Sequence, residues 1–320
     1  MINNIQILRA FAAINVVLTH IIGTSTSYYQ DTFLLRYFEG WGGNGVDIFF
    51  VISGYVMLHT QIIQRRTPYE FFKNRVVRIV PIYWALTFFV LMLYFVFPSV
   101  TREILVTPVW VVSSLFFTSS IFTSNYPVVY VGWTLEFEMF FYLIFSIGLF
   151  LKSWRLQVTF VVISLLTFTI ITNNFIIVEF LLGMFVACIF RTYNFSKRKG
   201  LAIFIFGTLL LLASISSEIK SLNLNRIFIW GIPSFFIVFG LLYSTQVKCR
   251  SLVYLGNASY SIYLVQILTI PAFYKLFSKV SYDWNGDFLA FLCLVFSVTF
   301  GCVVYSVVEK PLTEMLKRFI

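Results

Sequence analysis

Two histidines and thirteen acidic residues in a chain of 320 leave few positions for proton chemistry. His20 stands eleven residues after Arg9 in the apolar run LRAFAAINVVLTH. Eleven residues at about 100° each come within about 20° of three full turns, and a rise of about 1.5 Å per residue separates the two by about 16.5 Å. Arg9 and His20 therefore share a helix face, one near each end. Neutral imidazole accepts a proton near neutral pH, so His20 is a candidate general base. The same spacing also suits an arginine reaching one layer of headgroups and a histidine at the opposite interface. Arg75 and Arg78, in FFKNRVVRIVPIYW, lie three apart on one side of a helix and can clamp phosphate oxygens bidentately. Arg65, Arg66 and Lys73 are close in sequence, and plain anchoring at a membrane surface is the alternative.

Three acids complete the set. Asp47 opens GVDIFFVISGY, and Glu136 and Glu138 lie in GWTLEFEMFFY, all expected near the depth of His20. Positions i and i+2 are about 200° apart on a helix, so one of the two glutamates faces a cavity and the other meets water or a polar neighbour. Tyr142 shares the face of Glu138. Each acid could serve a site or bridge helices structurally. Glu179 has no evident partner and is taken as structural, and His59 as a packed or interfacial histidine.

These groups need apolar elements to hold them. The chain is 59% hydrophobic, 20% aromatic and 11% charged, with 39 Phe and a mean hydropathy of +0.89. A soluble domain carries about 25% charged residues, so a water-soluble protein is excluded, as are disordered and collagen-like chains. A spanning helix takes about 20 mostly apolar residues. Ten segments qualify: Gln6 to Ile22, Gly45 to Ile62, Ile79 to Phe97, Val131 to Leu151, Leu156 to Thr172, Phe175 to Phe190, Leu201 to Ser217, Ile227 to Ser244, Tyr254 to Tyr274 and Phe288 to Val308. The stretch Pro108 to Phe122 is short and proline-bounded, which suits an interfacial or re-entrant segment. The expected fold is an all-α polytopic membrane bundle of about ten transmembrane helices, a single domain over residues 1–320 with no appended soluble domain. Arg9 interrupts what would be a signal peptide's apolar region, so the first segment reads as a retained helix.

The net charge of +10 could in principle mark a nucleic-acid partner. Its distribution argues otherwise. With the N-terminus inside, Arg36, Arg102, Lys220, Arg226, Lys275 and Lys279 fall outside, Arg9 lies within the first span, and every other Lys and Arg falls in inner loops or the C-terminal segment. That asymmetry predicts cytoplasmic termini and an even number of spans, with the bilayer as partner and no nucleic acid. The four cysteines form no CxxC pair and read as packing residues, with no metal site.

The motifs already quoted, together with LGNASYSIYL and VEKPL, run in order from residue 7 to residue 312, and the chain resembles the acyltransferase 3 family of membrane-bound acyltransferases. The opening IQILRAFAA and the GWTLEFEMFFY segment look most like its exopolysaccharide branch. The resemblance implies a multi-pass enzyme of a bacterial cytoplasmic (inner) membrane that moves an acyl group, commonly acetyl, from cytoplasmic acyl-CoA to a hydroxyl of a surface or exported polysaccharide or its lipid-linked precursor. No permanently bound cofactor is implied; acyl-CoA is the donor substrate. Arg9 and His20 match the family's R-x10-H pair, Arg75 and Arg78 its RxxR pair, and Glu138 the glutamate of its W-S/T-L-x-x-E pattern. Where the family often has His after SYSxYL, this chain has Gln266, whose amide could position a ligand.

On this reading Arg75, Arg78 and Arg9 hold the phosphate-bearing end of acyl-CoA, and His20 is the base on the acceptor hydroxyl, with Glu138 or Asp47 orienting the imidazolium. An acyl-histidine intermediate is the alternative chemistry. A transporter or flippase, or an assembly subunit of an export complex, are the rival classes; no internal repeat supports the first.

Overall fold

The computed structural model describes residues 2–28, 32–97, 106–123, 125–216, 224–278 and 285–318. Arg102, Lys220 and Lys279, expected in outer loops, lie outside them. The described residues form helices and connecting turns, with no strand. The first three long helices are α1 (Asn3–Ser25), α2 (Asn44–Gln64) and α3 (Pro68–Val96). Two short ones, α4 (Pro108–Leu115) and α5 (Ser119–Phe122), occupy the stretch expected to be interfacial or re-entrant. Then come α6 (Trp133–Gly148), α7 (Trp154–Thr172), α8 (Val178–Thr192) and α9 (Lys197–Ala213). After these stand α10 (Ile232–Tyr243), α11 (Arg250–Asn257), α12 (Ser259–Phe277), α13 (Gly286–Val304) and α14 (Lys310–Arg318).

Eight of these segments are long and apolar enough to cross a membrane. The difference from ten falls on residues 201–217 and 227–244. The first is α9 with 17 residues; the second is a π turn (Ile227–Gly231) leading into α10, a 17-residue apolar helix in all. At about 1.5 Å per residue, each reaches about 26 Å. The expected span from Tyr254 is also divided, because the chain turns at Ala258 between α11 and α12.

Local chemistry sets the helix starts. Thr67 caps α3 by accepting from the Glu70 N–H, while the Glu70 carboxylate accepts from the Thr67 N–H, and Pro68 fills the first helical position, where its missing donor costs nothing. This capping box starts α3 eleven residues before the apolar run, so Arg75 and Arg78 lie on the helix itself. Ser153 and Ser196 cap α7 and α9 in the simpler way.

Helix α1 is the central strut. It packs on α2, α11, α12 and α13, and its buried residues divide between two apolar clusters. Against α2 the neighbour α8 comes unusually close: a Cβ on Gly54 would lie 2.1 Å from the Phe180 carbonyl oxygen, and one on Gly183 2.1 Å from that of Val51. Only glycine permits that approach, as at other small-residue membrane helix contacts. By contrast α7 presents Ile163, Ile170 and Ile171 outward, the pattern of a lipid-facing helix. Residues near the two described ends of the chain lie close together. Asn4 donates to the carbonyls of Leu241 (3.0 Å) and Thr245 (3.2 Å), and a surface cleft is lined by both Gln6 and Lys317.

Candidate active site

A cavity of about 760 Å³, counting its open mouth, lies between α1, α2, α3, α6 and α12. Its charged groups come from three helices, Arg9 from α1, Arg75 and Arg78 from α3 and Glu138 from α6, joined by Ser53 of α2, Tyr142 of α6 and hydroxyls of α12. The walls between them are apolar, among them Phe49, Phe50 and Ile52. Arg75 is 8% exposed and lies against the rings of Phe71 (5.6 Å) and Tyr142 (5.8 Å), while its buried Nε has no hydrogen-bond partner among the described residues. Glu138 accepts from Ser53 Oγ at 3.2 Å and from the Tyr142 hydroxyl, and Ser53 and Tyr142 are themselves 3.1 Å apart. Arg9 interacts electrostatically with Arg78, Glu138 and Glu309. Three guanidinium groups thus converge with one carboxylate on the inner wall, and a buried donor of one of them is unsatisfied. Such an arrangement suits an anion, because buried charge is tolerated only when compensated.

Arg9 and Arg78 also line the surface cleft, which adds Lys310, Lys317 and Glu309. The two arginines stand on the seam between an outer cleft and the inner cavity. Glu309 belongs to VEKPL and accepts from Ser261 Oγ at 2.5 Å. It ends a π turn, Tyr305–Glu309, two residues before Pro311. Proline lacks the N–H that the Val307 carbonyl would accept, and the wider turn is a local answer to that loss.

His20 lies further along α1. Its Nδ1 is 2.9 Å from Gln266 Oε1, and its ring meets Tyr130 edge-on with centroids 5.4 Å apart. The cavity does not include it; among the lining residues, the hydroxyls of Thr134 and Tyr263 are 2.8 Å apart. The structure therefore unites Arg9, Arg75, Arg78 and Glu138 in one cavity and keeps His20 apart from all of them.

Two expectations about the acids are corrected. Asp47 was expected to be available to His20; instead it is fully buried and held bidentately by Arg226, with Nε to Oδ1 at 2.9 Å and Nη2 to Oδ2 at 2.6 Å. Arg226 also donates to the Gly43 carbonyl (2.9 Å) and lies over Trp230 at 4.7 Å. Glu138, expected at the depth of His20, sits among the arginines, because Tyr142 and Ser53 draw its carboxylate toward the inner wall. Glu136 points the other way, as the helical geometry requires, and accepts from the backbone N–H groups of Ser119 (2.9 Å) and Ser120 (3.1 Å), fixing α5. Glu179 is not isolated but lies against Asp47 and Arg226. His59 stacks on Tyr55 (5.0 Å) and meets Phe190 edge-on, a packed histidine as expected. The four cysteines are free thiols, and no group of metal-binding side chains forms among the described residues.

Sequence reasoning did not single out Arg226, Ser53, Ser261 or Glu309. The charged residues among them carried a signal, being ionisable groups at the edges of apolar segments, but one was assigned to a loop and the other read only as part of a motif.

Comparison with known proteins shows what the chain is similar to. A family model described as an acyltransferase domain matches residues 2–307. The exopolysaccharide production protein ExoZ of Rhizobium meliloti (strain 1021) is 30% identical over 296 residues, covering 85% of this chain and 89% of the relative. No solved structure matches the chain.

Proposed function

Since this chain belongs to the acyltransferase domain family and is a multi-pass membrane acyltransferase, we propose that it takes an acetyl group from acyl-CoA on the side of its termini, the cytoplasm, and transfers it to a hydroxyl of an exported polysaccharide or its lipid-linked precursor. The observation that carries this reading is the convergence of Arg9, Arg75 and Arg78 on one cavity, with the buried Arg75 Nε unsatisfied among the described residues. Phosphate oxygens would complete that cluster, with Lys310 and Lys317 at the cleft mouth attracting the anion. Glu138 balances the arginines and, through Tyr142 and Ser53, holds them in place. The name of the relative, an exopolysaccharide production protein, supports a polysaccharide acceptor.

In the chemical step the acceptor hydroxyl gives its proton to His20 as its oxygen bonds to the thioester carbon. The carbon–sulfur bond then breaks and coenzyme A leaves as a thiolate that takes up a proton. The cavity does not include His20, so the thioester must move beyond its lining to meet the imidazole during the cycle. An inner bacterial membrane is the setting this direction of transfer requires.

The test is glycan acylation by membranes containing the protein, read by mass spectrometry. Replacing His20 by alanine abolishes transfer while the protein still accumulates; substantial residual activity would overturn the assignment. Arg78→Gln weakens apparent acyl-CoA affinity by roughly 10- to 100-fold, the range for losing a hydrogen bond to a charged group. An unchanged affinity with a slowed chemical step would remove Arg78 from the donor site.

A further inference from the structure

The amide of Gln266 is buried between two fixed partners. Its Nε2 donates to the Tyr263 carbonyl at 2.7 Å, one turn back on α12, and its Oε1 is 2.9 Å from His20 Nδ1. Gln266 is completely buried, so water offers no alternative partner. Turning the amide over would set Oε1 against the Tyr263 carbonyl oxygen, two acceptors at hydrogen-bond distance, and forfeit the bond that Nε2 donates there. The orientation is therefore determined: an oxygen faces Nδ1, and the hydrogen bond exists only if Nδ1 carries the proton.

We infer that Gln266 is the positioning residue of the acyl-transfer site: it locks His20 in the tautomer with the proton on Nδ1, so that Nε2 keeps its lone pair for the acceptor hydroxyl. The inference rests on the reading of His20 as the base. An amide does this differently from a carboxylate. It fixes the tautomer and the ring plane without a charge that would favour the imidazolium, so the imidazole stays neutral and ready to accept. The other groups on the ring are the Val16 carbonyl on α1 and the Tyr130 ring at the start of α6, and no charged side chain from α1, α6 or α12 faces it among the described residues. The Asp47 and Glu138 carboxylates are each committed elsewhere.

With only two histidines in the chain, the state of His20 can be read directly. In protein with 15N-labelled histidine and His59 replaced by Gln, the one remaining imidazole shows a protonated Nδ1 and an unprotonated Nε2, and Gln266→Leu converts it to a tautomer mixture. An unprotonated Nδ1, or both nitrogens protonated at neutral pH, would overturn the inference. In the acylation assay Gln266→Leu lowers kcat by about tenfold or more, with KM for acyl-CoA within about twofold, as loss of a correctly set base predicts. Gln266→Glu keeps the shape and adds charge. Its carboxylate favours the imidazolium, so the acid limb of the kcat profile moves to higher pH; an unmoved limb would overturn the inference even if Gln266→Leu fails to fold. The spectroscopic arm needs no turnover. If His20→Ala retains activity while the native spectrum shows the locked tautomer, the assignment of the base fails and the lock stands.

Discussion

Arg226 and Asp47 show how a structural ion pair between a buried carboxylate and a half-buried arginine differs from a catalytic one. Both Asp47 oxygens are used by one guanidinium, the carboxylate is fully buried, and Glu179 lies against the pair. Removing Arg226 leaves the buried Asp47 carboxylate without its partner, and with the arginine partly exposed to solvent Arg226→Gln lowers stability by about 1–3 kcal/mol. The measurement is thermal unfolding in detergent, where Arg226→Gln melts well below the parent protein; an equal midpoint would show the pair to be dispensable. At this scale the sequence was informative about residue types and weak about partners. Arg9, His20, Arg75 and Arg78 were legible because each depends on spacing within one helix. The partners of Asp47 and Glu138 were not, because Arg226 lies 179 residues away and Ser53 lies 85 residues away, distances over which no periodicity speaks.

Helix α1 carries Arg9 to the cavity and His20 beyond it, and the neighbours of α1 must stay fixed for that placement to hold. The α2–α8 contact is the tightest test. Gly54→Ala or Gly183→Ala forces a methyl group into a backbone carbonyl, and overpacking of this kind costs about 1–3 kcal/mol. Either variant unfolds at lower temperature than the parent, whereas Gly23→Ala in α1, which meets nothing within 4 Å, matches or slightly exceeds it. If Gly183→Ala were as stable as Gly23→Ala, the close approach would not be real. Hydropathy located these helices well, since lipid exposure demands apolar runs. It misplaced the start of α3, where a capping box extends the helix through a basic stretch, and the break at Ala258, where no proline or charge announces it.

Across the whole molecule, residues near the two described chain ends, Gln6 with Lys310 and Lys317, line one surface cleft, and orientation follows from which side of the membrane that cleft meets. Cys249, half-buried at the start of α11, reports on it. With Cys188, Cys293 and Cys302 replaced by Ser, a membrane-impermeant maleimide labels Cys249 in inverted vesicles and not in intact cells; the opposite pattern reverses the topology. The net charge, ambiguous as a total, became legible once each residue was assigned a loop, but no sequence signal showed that Arg9 and Arg78 face two chambers at once. That seam has a kinetic consequence. Guanidinium groups that recognise phosphates cannot tell the charged donor from the spent one, since both carry the same nucleotide. Free coenzyme A is then a competitive product inhibitor with a Ki close to the Kd of its thioester, and turnover in the cell follows the ratio of the two forms more closely than the concentration of either.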